Sequence, residues 1–452
     1  MVNNVSLTLG GISLVRVKRL AREFLWIGVG QAVAALGGLV GVSVLTRALD
    51  PESYGELALG MTVATLTQQV VLGPVSGALL RFFAPATEAG ELHAYLKGGR
   101  RMLTRATFVL LSFGGLLELV LLKTEQARWT GLMIAALLYS LLSGYNSAMD
   151  GVQNAARQRA VVAWHQGIGQ WVRFSWALLL ITGFGARSST AMLGYAIGSA
   201  LMLGSQIVFF RRKILTMLPA RDSTSENNSG DWTSQMSAYA WPFAIWGIFT
   251  WAQMASDRWA LQLGGSASAV GLYAALYQLG YYPMTLLSGF IVQLVSPVLF
   301  SRAGDGTNPD RMAQSHRLNR MVFLGSIGLG AAGAVFALLF HSEIFSLLAA
   351  PGYRQVSPLL PAMVLSGGLF AAGQVAVLSL LSGVNSQRLM APKIVTALLG
   401  VLLNFGGAFW LGIGGVVYAG LAVSSTYLVW ILILVKREQV RAATRFAGSA
   451  ST

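Results

Sequence analysis

The sequence predicts an all-α polytopic membrane protein, and three observations carry that expectation. Charged residues are 11% of the chain against 54% hydrophobic, where soluble proteins carry about 25% charge. Mean hydropathy is +0.61. The apolar residues fall in runs long enough to cross a bilayer, whose core takes about 20 helical residues. Such a surface can only be solvated by lipid, where backbone polar groups must be satisfied within each helix.

The runs place spans at 24–46, 56–80, 105–123, 130–150, 162–183, 190–210, 238–262, 270–299, 318–340, 357–383, 392–410 and 415–435, about twelve in all. Spans two and eight are long, with Pro74, Pro283 and Pro297 as expected interruptions. The first run exceeds a signal-peptide core and no small-residue cleavage site follows it, so it reads as a span. The net charge of +15 sits in short clusters between apolar runs, which excludes a nucleic-acid reading and sets topology instead. Lys and Arg number 25 on the side holding both termini and 5 on the other, with Arg173 and Arg258 inside spans. Both termini are therefore expected in the cytoplasm. The outer loops are short, the longest running from His341 to Ser357, leaving no room for an extracytoplasmic domain.

The polar stretch Ala220–Asp231 reads as a cytoplasmic linker. It divides the chain into an N-terminal lobe, 1–220, with six spans, and a C-terminal lobe, 221–452, with six spans and a tail. Two weak internal matches relate them. At an offset of 216, Gly55, Arg101 and Gly114 meet Gly271, Arg317 and Gly330. At an offset of 231, the segment from Asn154 meets the segment from Asn385. Even halves insert in the same sense, so a pseudo-twofold axis along the membrane normal is expected, with binding near the midplane between lobes. ELHAYLKGGRRML and PDRMAQSHRLNRM, before spans three and nine, read as basic amphipathic helices on the cytoplasmic surface or as ordinary connecting helices.

Polar groups inside a bilayer are costly and face a cavity or a partner helix. Arg173, near the middle of span five, would cost about 2.5–3.5 kcal/mol against lipid, so it is expected to face water or an anion, or to pair with Asp150, Asp257 or Glu118. Arg258 adjoins Asp257, but successive helical side chains diverge by about 100°, so the two are not expected simply to neutralise each other. Around these lie Gln69, Asn146 and Gln170, and the span-eight tyrosines Tyr273, Tyr277 and Tyr281, suited to sugar stacking or to packing. Asp257, Glu118 and His165 are candidates for coupling to a proton or cation; equally, each carboxylate could be a packing partner and His165 a satisfied interfacial histidine. The pairs Gly37/Gly41 and Gly194/Gly198 match GxxxG, but in a chain with 52 Gly they say little.

No Walker A, HExxH or GxSxG motif occurs, the four histidines are scattered, and there is no cysteine. No cofactor or metal is expected. Asn4 and Asn227 begin N-x-S triplets, both on the expected cytoplasmic side.

The stretch VGQAVAALGGLVGVSVLTRALDPESYGELALGMTV, Val29 to Val63, resembles the N-terminal signature of the polysaccharide transporter, or oligosaccharide flippase, family of the multidrug/oligosaccharidyl-lipid/polysaccharide exporter superfamily. SDRWALQ at Ser256 and VGLYAALYQL at Val270 are similar to the corresponding spans seven and eight. The resemblance implies two six-helix lobes around a cationic cavity, alternating access, and a non-enzyme of the bacterial inner membrane. It implies a polyprenyl-pyrophosphate-linked oligosaccharide as cargo, such as an O-antigen, capsule or exopolysaccharide repeat unit. Membrane lipids, a glycan polymerase and chain-length machinery are the implied partners, and nucleic acid is not. Arg173 and Arg258 would take the pyrophosphate; Gln170, Gln69, Asn146, Tyr277 and Tyr281 would take the glycan. A cation-coupled multidrug exporter of the same superfamily is the alternative, with a membrane glycan-assembly enzyme behind it.

Overall fold

The structure is a computed structural model describing residues 8–9, 12–214, 216, 231–303, 309–382 and 389–449. The linker at 220–230, Arg388, and the triplets at Asn4 and Asn227 lie outside the described residues. Apart from a two-residue antiparallel pairing of Thr8–Leu9 with Ile12–Ser13, the described chain is helical. In order run α1 (Leu14–Ala48), α2 (Pro51–Thr67), α3 (Gly73–Glu88), α4 (Leu92–Lys123), α5 (Thr130–Ala155), α6 (Arg159–Phe184) and α7 (Ser188–Lys213). Then follow α8 (Trp232–Gly264), α9 (Ala267–Ala303), α10 (Pro309–Leu348), α11 (Leu360–Ser382) and α12 (Met390–Ser449). Among the described residues nine helical stretches are long and apolar enough to cross a membrane.

Several of these elements differ from the sequence expectation for stated reasons. Span two is α2 and α3 joined by a π turn, Gln68–Leu72. Pro74 has no N–H for the carbonyl of Val70 and its ring crowds that carbonyl; the widened turn relieves this, and the N–H of Gly73 reaches back to Gln68 O. Pro283 and Pro297 do not interrupt α9, which runs unbroken for 37 residues; membrane helices tolerate such prolines. The two basic segments are not separate surface helices. Each is the opening of a long helix, α4 or α10. Tyr95 there is buried and its hydroxyl donates to Leu79 O at 2.6 Å, while Asn319 Nδ2 donates to Ser379 Oγ at 2.6 Å. At Gly412, in left-handed backbone at φ 59°, α12 turns back on itself. Gly407 then faces Gly415, and Gly400 faces Val423, so α12 is an antiparallel helical hairpin.

The chain forms two compact units. The first comprises the described residues up to Gly41, with Val63–Gly185 and Ser189–Gly247; the second comprises Val42–Thr62, Ala186–Ser188 and the described residues from Ile248 onward. In the first, glycines let helices meet. Gly30, Gly37 and Gly41 of α1 lie against Ala163, Trp171 and Phe174 of α6, and Trp171 Nε1 donates to Val33 O at 2.9 Å. The Gly194/Gly198 pair, uninformative by count, is a helix seam: β-carbons there would collide with the backbone of Ala177 and Arg173.

In the second unit α2 and α9 cross at their N-terminal ends. A β-carbon on Gly55 would strike the carbonyl of Ala267, and one on Gly271 would strike the carbonyl of Pro51. Pro51 and Ala267, like Gly55 and Gly271, differ by 216, so each glycine meets the residue four before the other glycine. That reciprocity is the mark of a twofold contact. Tyr54 packs edge-on to Tyr353, whose hydroxyl donates to Leu49 O at 3.1 Å, and Arg47 Nη2 donates to Leu347 O at 2.9 Å. The repeat shows again inside each unit: Gly114 of α4 meets Leu137 of α5, and Gly330 of α10 meets Gly368 of α11, positions related by 216 and 231.

Candidate functional site

In the first unit one polar cluster forms where α5, α6 and α7 meet. Ser199 of α7 is the node. Its hydroxyl accepts from Arg173 Nε at 3.0 Å and its carbonyl accepts from Asn146 Nδ2 at 3.0 Å. The close approach of α7 at Gly198 brings this about. Arg173 forms no ion pair among the described residues. Of its five N–H groups, the four on Nη1 and Nη2 find no acceptor there. Asp150, an expected partner, is gripped by amides: Gln166 Nε2 donates to it at 3.1 Å and Gln206 Nε2 donates to its other oxygen. Half-buried and unspent, the Arg173 fork can take an anion bidentately.

The other candidates of this unit are placed separately. His165 Nδ1 lies 2.8 Å from Val161 O and Nε2 lies 3.1 Å from Ser205 Oγ, with Phe209 edge-on. Both ring nitrogens are engaged, as in a satisfied interfacial histidine. Gln69 sits in the π turn, and Gly247 of α8 packs on its backbone. Gln69 and Gln170 are half-buried and their side chains have no hydrogen-bond partner among the described residues. Glu118 of α4 has a buried Oε1 with no partner. No hydrogen bond joins these four to Arg173.

The second unit holds a tighter cluster on α8 and α9. Asp257 is 7% exposed. Arg258 Nη1 lies 3.1 Å from Asp257 Oδ1, so the expectation that these neighbours do not neutralise each other is overturned. The long arginine side chain curls back along the helix, which Cβ direction alone does not show. Nη1 also donates to Met254 O at 3.0 Å. Tyr273 donates its hydroxyl to Asp257 Oδ2 at 2.7 Å. The guanidinium stands 4.7 Å from the ring centre of Tyr277 and 5.9 Å from that of Tyr273, within cation–π range. Tyr277 stacks on Tyr281 at 4.9 Å, and the row continues through Phe370 to Tyr427. The three tyrosines, four residues apart on α9, thus form one packed ladder that seats Arg258. Above it, Thr62 of α2 accepts from two indoles of α8, Trp251 Nε1 at its carbonyl and Trp259 Nε1 at its hydroxyl, at 2.7 and 3.0 Å.

Sequence reasoning missed Ser199, Gln206, Trp251, Trp259, Phe370 and Tyr427. Ser199 and Gln206 are seven apart on α7, a helical repeat that was legible beside Gly198. The aromatic partners carried no signal, because aromatic residues in a membrane chain mostly face lipid or packing. Among the described residues no group of three metal-ligating side chains comes together.

Residues 20–302 match the family model described as polysaccharide biosynthesis protein. No curated protein matches the chain in sequence. Among solved structures, the chain is similar to lipid II flippase MurJ in an inward closed conformation, with a TM-score of 0.70 and 13% identity over 91% of this chain and 87% of that one. It is similar to an inward-facing multidrug resistance MATE family transporter of the MOP superfamily, at TM-score 0.65 and 12% identity over 91% and 98%. The Vibrio cholerae MATE transporter VcmN in its bent form follows at 0.59 and 13%, over 94% and 98%. At such identities the likeness is one of fold.

Proposed function

The chain belongs to the polysaccharide biosynthesis protein family, and on that premise we propose that it is a flippase or exporter for a polyprenyl-pyrophosphate-linked oligosaccharide. The cargo, an O-antigen, capsule or exopolysaccharide repeat unit, passes from the cytoplasmic to the periplasmic leaflet of a bacterial inner membrane by alternating access. The chain acts as a transporter and not as an enzyme. Its lobes are 1–220 and 221–452, both termini are cytoplasmic, and α6, α8 and the two arms of α12 bring the crossings to twelve.

What supports this reading is that Arg173 of α6 and Arg258 of α8 both keep N–H groups without an acceptor among the described residues. A pyrophosphate is a dense anion, and a planar guanidinium in a low-dielectric setting binds it through two parallel hydrogen bonds. Gln69, Gln170 and Asn146 offer amides to glycan hydroxyls. Tyr277 and Tyr281, stacked on each other with Arg258 beside them, serve the arginine before they serve a sugar. The multidrug alternative needs an interior that welcomes cations, and two arginines oppose that.

The test is translocation of a labelled lipid-linked oligosaccharide across vesicles reconstituted with wild type, Arg173→Ala or Arg258→Ala. Each alanine variant is expected to lower transport at least tenfold. Transport of the glycan at the rate of empty vesicles by wild type would overturn the function. Full transport by both variants would remove the site assignment.

A further inference from the structure

We propose that Asp257 is a built-in stand-in for the cargo's phosphate, holding Arg258 while the site is empty and giving it up to an anionic headgroup. The inference rests on the reading that Arg258 meets the cargo.

The geometry shows an exchangeable contact. Asp257 reaches Arg258 through Nη1 alone, at 3.1 Å from Oδ1 and 3.4 Å from Oδ2. Adjacent residues on one helix cannot offer the side-by-side approach of a bidentate pair. Nε and Nη2, with three N–H groups, have no partner among the described residues, so the better edge of the guanidinium stays open. A phosphate group entering on that edge makes two parallel charge-assisted bonds where Asp257 makes one.

Neither partner is stranded by the exchange. With Arg258 disengaged, Asp257 keeps the backbone N–H of Arg258 at 2.7 Å and the Tyr273 hydroxyl at 2.7 Å. Arg258 keeps Met254 O and its seat on Tyr277 and Tyr273. Besides Asp257 and Tyr273, the groups that act on Arg258 are Tyr54 of α2 and Tyr277 of α9, and among the described residues Arg258 is the one cation in ion-pair contact with the carboxylate. In the empty site the two charges cancel, sparing the membrane interior a lone cation. The same carboxylate then returns to Arg258 and helps to expel the headgroup, so it weakens binding and speeds release.

The experiment measures binding of geranylgeranyl pyrophosphate to the purified full chain in nanodiscs, with geranylgeraniol as the uncharged control. Asp257→Asn is expected to bind the pyrophosphate about tenfold tighter, equivalent to about 1.4 kcal/mol, while translocating its cargo more slowly. Arg258→Gln is expected to lose that binding, and the double variant to match Arg258→Gln. Tyr273→Phe keeps both charges but takes a donor from the freed carboxylate, so its binding is expected to weaken about threefold. Unchanged or weaker binding by a folded Asp257→Asn overturns the proposal. If that variant does not fold, tighter or unchanged binding by Tyr273→Phe does so. Wild-type binding that survives Arg258→Gln overturns it too while leaving the transport function standing. A wild type that binds neither probe but flips the glycan overturns only this inference; one that does neither overturns both.

Discussion

Arg173 is positioned by a single hydroxyl. Ser199 takes its Nε, and the carbonyl of the same residue takes Asn146, so three helices meet at one residue. Ser199→Ala removes the acceptor for Nε but keeps the carbonyl contact. Its expected cost to stability is about 1 kcal/mol, with a severalfold loss of transport, because the fork is no longer aimed. Arg173→Lys keeps the charge and loses both the Nε contact and the paired geometry; transport is expected to fall about tenfold with the thermal midpoint little changed. Vesicle translocation and thermal unfolding of the same preparations check both. The two arginines were legible in the sequence because a cation in an apolar run is conspicuous. Their partners were not, since Ser199 and Tyr273 come from other helices. The Asp257–Arg258 contact was misjudged because a 100° separation describes where side chains leave the helix, not where a four-carbon reach ends.

Helix by helix, the twelve apolar runs each coincide with helical structure, and the departures cluster at special residues. Pro74 widens a turn instead of ending a helix, and the two basic stretches continue straight into α4 and α10. Amphipathicity was a poor guide there because Tyr95 and Asn319 bury against neighbouring helices, which produces the same periodicity as lying on a membrane. The crossing of α2 and α9 depends on glycine at both sites. Gly55→Val places a side chain where the Ala267 carbonyl stands, and overpacking of this kind costs about 1–3 kcal/mol. The expected result is a thermal midpoint several degrees lower in detergent. The same change at Gly38, where a β-carbon would meet nothing within 4 Å, should leave the midpoint unchanged, so equal midpoints for the two variants would show that the crossing is not close-packed.

At the scale of the molecule, weak offsets in sequence became contacts. The 216-residue shift that matched Gly55 to Gly271 also relates the two collisions at their crossing, which chance matches in a glycine-rich chain would not do. Among the described residues hydropathy marks nine stretches, fewer than the twelve crossings proposed, and the difference has a chemical side. The two separate helices missing from the nine apolar stretches, α6 and α8, are those carrying Arg173 and Arg258. A helix that carries a charge among several other polar groups has a lower mean hydropathy than an all-apolar one. The number of crossings therefore has to be read from the loops. The chain has no cysteine, so single cysteines can be placed without a background. With α6 crossing, Arg187→Cys is expected to react with a membrane-impermeant maleimide in spheroplasts and Arg157→Cys only after lysis. With α8 crossing, Ser266→Cys is expected to be labelled from outside and Asp231→Cys only after lysis. If α12 crosses twice about Gly412, both Met390→Cys and Arg437→Cys stay protected until the cells are opened. Labelling of Arg437→Cys in intact spheroplasts, with Met390→Cys protected, would make α12 a single crossing and the count odd. It would put the C-terminal Lys436 and Arg437 outside, against the 25-to-5 distribution of basic residues that orients every other loop.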